Sequence, residues 1–402
     1  MNTVVKKMPK RDLGDFWEIV VLAGSEGYYP QRKEGRVKWF TEISKECPGL
    51  DYYGAYRDDV LLGGMVIGDY TMNLRGAVIP LSGVGMVHTD MLHKKEKICK
   101  EMMAFFLQHN REKDVHLLYL SPFRPDFYKQ MGFGYGSTAY DYRIPPASFP
   151  NTGAKEKLSY LPDKERTGFL DCYGRVMRKT HGMISRNVFF TEEQLGGGKR
   201  AVVYKEEGVI TGVLVFSFGD EKEMVIHEWF CEDARAFRAF CSFLHTQSDQ
   251  FHRILFTSAD EYLYYALRDP TDGLRDLETC RCRVDNMFRV VDAAGLFRDL
   301  RDVNFGGANL ILNLRVRDDF FAPNNGVTCI RFENGYPRVM EQQARADLEI
   351  TLDVADFSSL MVGAVNPSAL FRLGLLELSD TGKLKLLDTM FHAPKPLGNT
   401  HI

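Results

Sequence analysis

The spacing of apolar residues changes between strand-like and helical along residues 82–136, the stretch around which the rest of the chain is organised. An apolar run leads through a short basic loop into apolar residues spaced three and four apart at residues 98–107, which predicts an amphipathic helix. Residues 115–120 then predict a buried strand, and residues 125–131 predict a short helix that Gly132 ends. The predicted order of elements in this segment is therefore a strand, a basic turn, a helix, a second strand and a short helix.

A repeat lies on either side of the middle of the chain. Residues 201–215 repeat residues 54–66 in the order aromatic, basic, two acidic, apolar pair and glycine, with one residue inserted. By itself the repeat also fits two unrelated hairpins. The elements that follow it favour duplication, because they are again a strand, a helix and a strand, at residues 224–230, 234–248 and 253–257.

The last part of the chain has a different pattern, with strands first and helices afterwards. Strand-like runs occur at residues 308–316, 327–333 and 347–352, with asparagine-glycine turns between them. Helical patterns follow at residues 354–362, 367–373 and 384–391. We therefore expect a third domain made of a sheet covered by helices.

The length of the chain and its proline-containing linker indicate a division into several domains. A chain of 402 residues is too long for one ordinary core, and the clearest linker is residues 144–153, which hold three prolines among small and polar residues. We predict three domains, at residues 1–146, 147–284 and 285–402. The second lacks a basic turn before its helix and lacks an equivalent of Phe127-Tyr128.

Composition and charge argue against several classes of function. The net charge is −3 and no block of lysine and arginine is long enough to form a nucleic-acid stripe. No apolar run approaches ~18 residues, so neither a membrane span nor a secretion signal is predicted and we expect a cytoplasmic protein. The eight cysteines are scattered, which favours reduced thiols, and no histidine lies near the closest pair, so no metal site is predicted.

The order of elements in residues 82–136 resembles the acyl-CoA-binding half of GNAT acetyltransferases. The segment Pro-Phe-x-x-x-Phe-Tyr-x-x-x-Gly-Phe-Gly-Tyr at residues 122–135 narrows the resemblance to the Eis-like branch. That resemblance implies an α+β and α/β fold of two GNAT-like domains in tandem plus a C-terminal sterol-carrier-protein-like domain. It also implies an acetyl-CoA-dependent N-acetyltransferase, acting on an aminoglycoside, polyamine or lysine-like primary amine, and a homo-oligomer, specifically a hexamer.

The same resemblance implies a cofactor site in the first domain. It implies none in the second domain, which lacks the basic turn and the Phe127-Tyr128 equivalent. Backbone N–H groups of the strand would hold the thioester and pantetheine, and the loop before the helix would hold the pyrophosphate. The family usually has glycine or another small residue where Lys97 and Cys99 stand, so the close backbone approach is in question, and a solvated basic turn is the alternative. The matching residues are Met86, Val87, His88, Lys94, Lys95, Lys97, Ile98 and Cys99.

Two residues match the catalytic positions of the branch. Tyr128 matches the tyrosine that protonates the coenzyme A thiolate, and its alternative role is a tyrosine packed at the edge of the core. The terminal carboxylate, here that of Ile402, would act as general base. His401 is an alternative base, and an unrelated frayed tail is the other interpretation. Upstream, Glu26 and Glu34 could attract a cationic amine or simply be solvated carboxylates.

Two other functions stay open at this level. The altered loop is compatible with a scaffold that has lost acyl-CoA binding and serves as a binding or assembly protein. Lipid binding by residues 285–402 would require a continuous apolar tunnel. We favour the acetyltransferase, because Tyr128 and the tail are both present.

Overall fold

The computed structural model describes residues 3–23, 37–38, 41, 49–162, 165–186, 194–270, 279–341 and 344–398. Within them the chain forms three sheets, and strands and helices are numbered here along the chain. The first sheet has seven strands in the spatial order Val4–Lys7 (β1), Leu50–Arg57 (β2), Val60–Leu74 (β3), Ala77–Thr89 (β4), Leu117–Leu120 (β5), Met287–Val290 (β14) and Gly134–Tyr135 (β6).

Helices Leu13–Ala23 (α1), Ile98–Glu112 (α2) and Pro125–Lys129 (α3) accompany this sheet. The predicted helix, strand and short helix of the 82–136 segment are thereby confirmed. The apolar face predicted for α2 is buried: Met102 and Phe106 lie on one side of the helix and are fully buried against the sheet.

The second sheet also has seven strands, and it repeats the layout of the first. The spatial order is Thr279–Val284 (β13), Thr138–Ile144 (β7), Arg253–Ser258 (β12), Glu223–Cys231 (β11), Val209–Phe218 (β10), Arg200–Glu206 (β9) and Leu158–Tyr160 (β8). Helices Arg166–Lys179 (α4) and Ala234–His245 (α5) pack on it. We call this sheet with α4 and α5 the second unit.

The two seven-stranded sheets exchange strands. β7 precedes the predicted boundary at residue 146, yet it pairs with β12 and β13 of the second sheet. β14 follows the predicted boundary at residue 284, yet it pairs with β5 and β6 of the first sheet. The boundaries therefore stay a prediction along the sequence, and in space each sheet contains a strand from the neighbouring segment.

The segment predicted as a linker is packed rather than free. Phe149 within it is fully buried, 6.0 Å from the Trp229 ring and 5.9 Å from the Phe256 ring between centroids. The Phe149 carbonyl also lies 2.7 Å from Nδ1 of His245 in α5. The prolines separate two strands, but an aromatic anchor fixes the segment to the second unit.

The third sheet has five strands, in the order Tyr336–Val339 (β17), Gly326–Glu333 (β16), Leu310–Arg317 (β15), Leu348–Asp353 (β18) and Leu376–Leu378 (β19). Helices Ala293–Asp299 (α6), Val354–Met361 (α7), Pro367–Arg372 (α8) and Leu384–Met390 (α9) accompany it. The predicted strands and helices are confirmed, but α6 precedes the strands, and the strand β19 lies between α8 and α9. Aromatic rings fill the core between them: Phe297, Phe305, Phe332, Phe357 and Phe391, with neighbouring centroids 5.4–6.5 Å apart.

Candidate active site

The site is built where β4 and β5 diverge. These parallel strands pair at Ser82 with Leu118 and at Gly83 with Tyr119, and β4 then continues to Thr89 while β5 ends at Leu120. In the described part of the first sheet, no pairing between these two strands continues past Gly83. The edge of β4 that faces β5 is therefore available to a ligand beyond that point.

A β-bulge turns the same part of β4. Gly64 of β3 pairs with His88 and Val66 pairs with Gly85, so one β3 residue faces both Met86 and Val87. Met86 has a φ of 50°, which is unusual for a non-glycine residue. The predicted residues Met86, Val87 and His88 thus lie at the bulge, half-buried beside the split.

His88 is held neutral in this position. Burial lowers the pKa of its ring most, the charge of Lys94 lowers it further, and a backbone hydrogen bond with Met86 opposes them. A neutral ring beside a basic loop adds no positive charge of its own near pH 7.

The loop before α2 adopts a backbone normally associated with glycine. Lys95 has a φ of 70° and Lys97 a φ of 66°, with Glu96 between them outside the left-handed region. Such alternation turns successive backbone N–H groups toward one side and forms a concavity that favours anions. Lys97 is also the N-cap of α2 and makes no side-chain capping hydrogen bond, so its side chain does not occupy the first-turn N–H groups of the helix.

Charge in this loop is mainly positive. The side chains of Lys94, Lys95 and Lys97 are exposed. The one carboxylate, Glu96, accepts a hydrogen bond from Arg57 Nη1 at 2.7 Å, and its Oε1 lies 3.2 Å from Nδ1 of His93. Arg57 first and His93 second lower the pKa of Glu96.

The two predicted residues that open α2 behave differently from each other. The side chain of Ile98 is 1% exposed and belongs to the core, so only its backbone can face the loop. Cys99 is half-buried, and burial raises the pKa of its thiol to about 11. Cys99 is therefore a neutral lining group at neutral pH and not a thiolate nucleophile.

Tyr128 lies on α3, the short helix that follows β5. It is 5% exposed, and its ring makes edge contacts with Phe123, Phe127 and Phe133 at centroid distances of 5.8, 5.3 and 6.1 Å. Burial raises its pKa above the ordinary value near 10, and the Cys99 thiol adds to this effect. The phenol therefore keeps its proton at neutral pH, and the fold brings it within electrostatic reach of the start of α2.

The C-terminal tail reaches the neighbourhood of the split. Ile402 and His401, the two predicted bases, lie outside the described residues, as do Glu26 and Glu34. The last described residue, Gly398, has its carbonyl oxygen 3.5 Å from Nδ2 of Asn286. Oδ1 of the same amide accepts a hydrogen bond at 2.9 Å from Ser121, the residue directly after β5.

Asn286 and Ser121 were missed by the sequence reasoning. Asn286 is fully buried between β5, the tail and the Gly136 N–H, which donates to its backbone oxygen at 2.9 Å. Its partners lie more than a hundred residues away in both directions, so no local spacing could have indicated it.

The second unit has a β-bulge like that of β4, but it has no basic loop before its helix α5. Between β10 and β11 the register shifts, so that His227 is the extra residue, and the parallel pairing of β11 with β12 ends at Ile226. Asp233 caps α5 by accepting from the N–H groups of Arg235 and Ala236. A carboxylate at this position repels an anion from the helix N-terminus.

A short 3-10 helix, Leu263–Ala266, follows β12 as α3 follows β5. It carries Tyr264 and Tyr265, although no tyrosine equivalent was expected in the second unit. The two rings are 44% and 74% exposed, whereas Tyr128 is buried. A helical period alone did not reveal them, because a 3-10 turn of four residues is too short to show one.

The ranges that the structure describes hold neither a metal-binding cluster nor a membrane-spanning helix. No group of three or more His, Cys, Asp or Glu side chains there is placed to hold a metal ion. No helix in those ranges has the length and apolar character needed to cross a membrane.

Comparison with known protein families finds two acetyltransferase domains and one sterol carrier protein domain in this chain. Residues 6–136 and residues 178–290 each match an acetyltransferase (GNAT) domain, and residues 299–398 match a sterol carrier protein domain. The expected fold class is thereby confirmed. A search of curated proteins finds no match.

Solved structures share the whole architecture. A GCN5-related N-acetyltransferase from Anabaena variabilis has a TM-score of 0.85 at 19% identity, with 100% of both chains covered. One from Kribbella flavida has a TM-score of 0.80 at 16% identity, covering 100% of this chain and 98% of its own. Eis1 from Mycobacterium abscessus has a TM-score of 0.78 at 16% identity, with 100% of both chains covered. At these identities the likeness establishes the fold.

Proposed function

We propose that this chain, which carries two GNAT acetyltransferase domains and a sterol carrier protein domain, is an acetyl-CoA-dependent N-acetyltransferase. The observation that carries the proposal is the split between β4 and β5, with the bulge at Met86 and Val87 on one side and buried Tyr128 following β5. The acceptor is a primary amine of the aminoglycoside, polyamine or lysine-like class. The assembly is a cytoplasmic homo-oligomer, and the resemblance to the Eis-like branch favours a hexamer.

Each residue has a role in direct transfer. Acetyl-CoA, when bound, supplies the thioester whose carbonyl carbon the amine attacks. Backbone N–H groups at Met86–His88 orient the carbonyl, and the concavity at Lys94–Cys99 holds the pyrophosphate. Tyr128 holds a proton for the leaving sulfur, and the tail, through the Ile402 carboxylate or His401, accepts the proton of the ammonium.

A calorimetric titration of the full chain with acetyl-CoA tests this proposal. We expect saturable micromolar binding that weakens when Lys94 and Lys95 are both changed to Ala, and that weakens with rising salt. The exposed Lys385→Ala on α9 is the matched control and should bind as wild type. A screen of amines for thiol release then identifies the acceptor class. Absence of binding at millimolar acetyl-CoA would overturn the proposal.

The alternative is a binding or assembly scaffold, which the replacement of glycine by Lys97 favours. Lys97→Gly distinguishes the two. Because the loop already has the left-handed backbone, an active acetyltransferase should gain little affinity from this change. A large gain would favour the scaffold. The third alternative, lipid binding, is disfavoured because aromatic rings occupy the core of the third sheet.

A further inference from the structure

The segment after α4, residues 181–186, is held against the first sheet at several points. Asn73 of β3 donates from Nδ2 to the Arg178 carbonyl at 2.7 Å, and the Asn73 carbonyl accepts from the Gly182 N–H at 2.8 Å. Gly182 has a φ of 85°, and a Cβ there would lie 2.4 Å from Cα of Pro396. Close backbone contacts therefore fix the path of this segment.

Further along, the segment pairs with the edge of β3. β2 pairs with only the first part of β3, and Met72 then lies opposite Ile184 in an antiparallel bridge. The Ser185 N–H donates to the Thr71 carbonyl at 2.8 Å, and Ser185 Oγ accepts from the Thr71 N–H at 2.9 Å. These contacts bring Arg186, the next residue, to the first sheet.

Arg186 forms a buried ion pair with Glu228 of β11. Arg186 Nη1 lies 2.9 Å from Glu228 Oε2, and the two side chains are 2% and 3% exposed. The guanidinium carbon lies 4.1 Å from the ring centroid of Tyr173 on α4. Burial alone would lower the pKa of Arg186, but the charge of Glu228, together with Tyr173 and Tyr119, raises it above its ordinary value. Arg186 is therefore charged inside the protein, where charge interactions are strong.

Tyr119 of β5 meets this pair from the first sheet. Its side chain is fully buried, and burial raises the pKa of its phenol well above the ordinary value. Tyr70 and Tyr173 raise that pKa further, whereas the positive charge of Arg186 lowers it. Because such an effect requires the groups to be close, the neutral phenol of Tyr119 and the guanidinium of Arg186 share one buried environment.

Tyr119 and Tyr70 together span β4 at the closed end of the split. β4 lies between β3, which carries Tyr70, and β5, and the two rings meet edge to face with centroids 5.6 Å apart. The Tyr70 ring covers Gly68, where a Cβ would lie 2.5 Å from Cε2 of that ring. Gly68 pairs with Gly83, and Gly83 pairs with Tyr119 in the last contact before β4 and β5 diverge. We call this pair of rings the tyrosine bridge.

We propose that the second unit, which lacks a basic loop, supports the cofactor site: the buried Arg186–Glu228 pair holds Tyr119, and the tyrosine bridge thereby fixes the point at which β4 and β5 diverge. This inference rests on the proposed function, and it makes Tyr119, Arg186 and Glu228 positioning residues. The N–H groups at Met86–His88 can orient a thioester only while β4 keeps its place relative to β5. A misplacement of about 1 Å in such a site can cost on the order of 10²-fold in rate.

Residue-resolved hydrogen exchange tests this support without requiring activity. The pair is replaced by Arg186→Met with Glu228→Met, because apolar residues of similar size in place of a buried ion pair often leave stability unchanged. The Tyr119 amide should then exchange about tenfold faster or more. The matched control is Arg175→Met with Glu232→Met, a second pair of the second unit with an Nη2–Oε1 distance of 2.8 Å. In the control the Tyr119 amide should exchange as in the wild type, and equal rates in the two double variants would overturn the support.

Calorimetric titration with acetyl-CoA adds a test that depends on Tyr119 itself. Tyr119→Phe removes one hydroxyl and keeps the ring, so it provides a second variant, should replacement of the pair prevent folding. We expect Tyr119→Phe to weaken acetyl-CoA binding about tenfold in the otherwise wild-type chain and to have no further effect once the ion pair is replaced. 3′-Phosphoadenosine 5′-diphosphate, the part of the cofactor without pantetheine, should bind equally in all variants, because it does not reach the split.

The outcomes are separable. Equal losses of acetyl-CoA affinity from Tyr119→Phe in both backgrounds would overturn the support, because Tyr119 would then act independently of the ion pair. Equal weakening of acetyl-CoA and of the nucleotide fragment would overturn it as well, since a merely structural role affects both ligands. A wild-type chain that binds no acetyl-CoA would overturn the proposed function, and the exchange experiment would still decide whether the ion pair holds Tyr119.

Discussion

Lysine occupies two left-handed backbone positions in the loop before α2. A side chain at such a position costs roughly 1–2 kcal/mol, since its Cβ crowds the following carbonyl. Strain of this size persists only where the surrounding structure imposes it, as ligand sites commonly do. At Lys95 and Lys97 the loop has the backbone of an anion site and adds exposed ammonium groups to it. The loop therefore combines lysine side chains with a backbone that glycine adopts more readily.

Tyr128→Phe removes one hydroxyl from an otherwise aromatic environment. We expect kcat to fall by about 10²-fold or more, as for loss of a general acid, with KM for acetyl-CoA little changed. Burial and the Cys99 thiol raise the pKa of Tyr128, so in the wild type its deprotonation should not reduce kcat up to about pH 10. Tyr135→Phe, at an exposed neighbouring position, is the control. The measurement is kcat against pH, and an unchanged kcat in Tyr128→Phe would refute the role.

At the scale of elements, β14 connects the site to the third sheet. Its residue Arg289 is fully buried and donates from Nη2 to both carboxylate oxygens of Asp318 at 2.9 Å. Gly132, which ends the turn after α3, leaves the space that this guanidinium fills, since a Cβ there would lie 1.8 Å from Nη1. The loop that follows β15 thus supports the helix that carries Tyr128.

Loss of the Asp318 charge should be costly. Asp318→Asn leaves a buried guanidinium without its counter-ion, and we expect a loss of about 3–5 kcal/mol in the free energy of unfolding. The control is Glu377→Gln, which breaks the exposed pair of Glu377 with Arg317 and should cost less than about 1 kcal/mol. Urea unfolding of both variants measures the difference. Similar losses would contradict a special role for the buried pair.

At the scale of the whole molecule, His181 joins the three sheets. Its Nδ1 accepts from the Arg75 N–H at 2.9 Å, so Nε2 carries the proton and donates to the Val362 carbonyl at 3.0 Å. Burial lowers the pKa of His181 most and the Arg75 charge lowers it further, against the Val362 contact. Protonation of Nδ1 would break the bond to the first sheet.

This linkage predicts a pH dependence of stability. The unfolded chain takes up a proton near the ordinary pKa of about 6.5, which the native His181 resists, so stability is present above that pH and falls below it. His181→Gln keeps a donor and an acceptor but cannot be protonated. We expect its thermal midpoint to fall less than that of the wild type between about pH 7.5 and 5.5. His252→Gln, a change of histidine to glutamine at an exposed position, is the control.

Much of the fold follows from local pattern. Periods of two and of three to four residues placed the hairpins, α2, α5 and the strands of the third sheet, because each element buries one face of its own. Residues 125–131, with Gly132 after them, also predicted the short helix that carries Tyr128. The sequence described the linker at residues 144–153 less well. Its prolines indicated a domain boundary, whereas Phe149 within it packs into the core.

The sequence by itself determined the type of most elements and the duplicated layout, because those depend on near neighbours. Only the tertiary structure decided that β7 and β14 change sheets, that the loop lysines take left-handed backbone, and that Gly182 meets the tail. These features arise from contacts between residues often more than a hundred positions apart, for which the chain carries no periodic signal. Strand pairing and close packing select them only once the whole molecule has assembled.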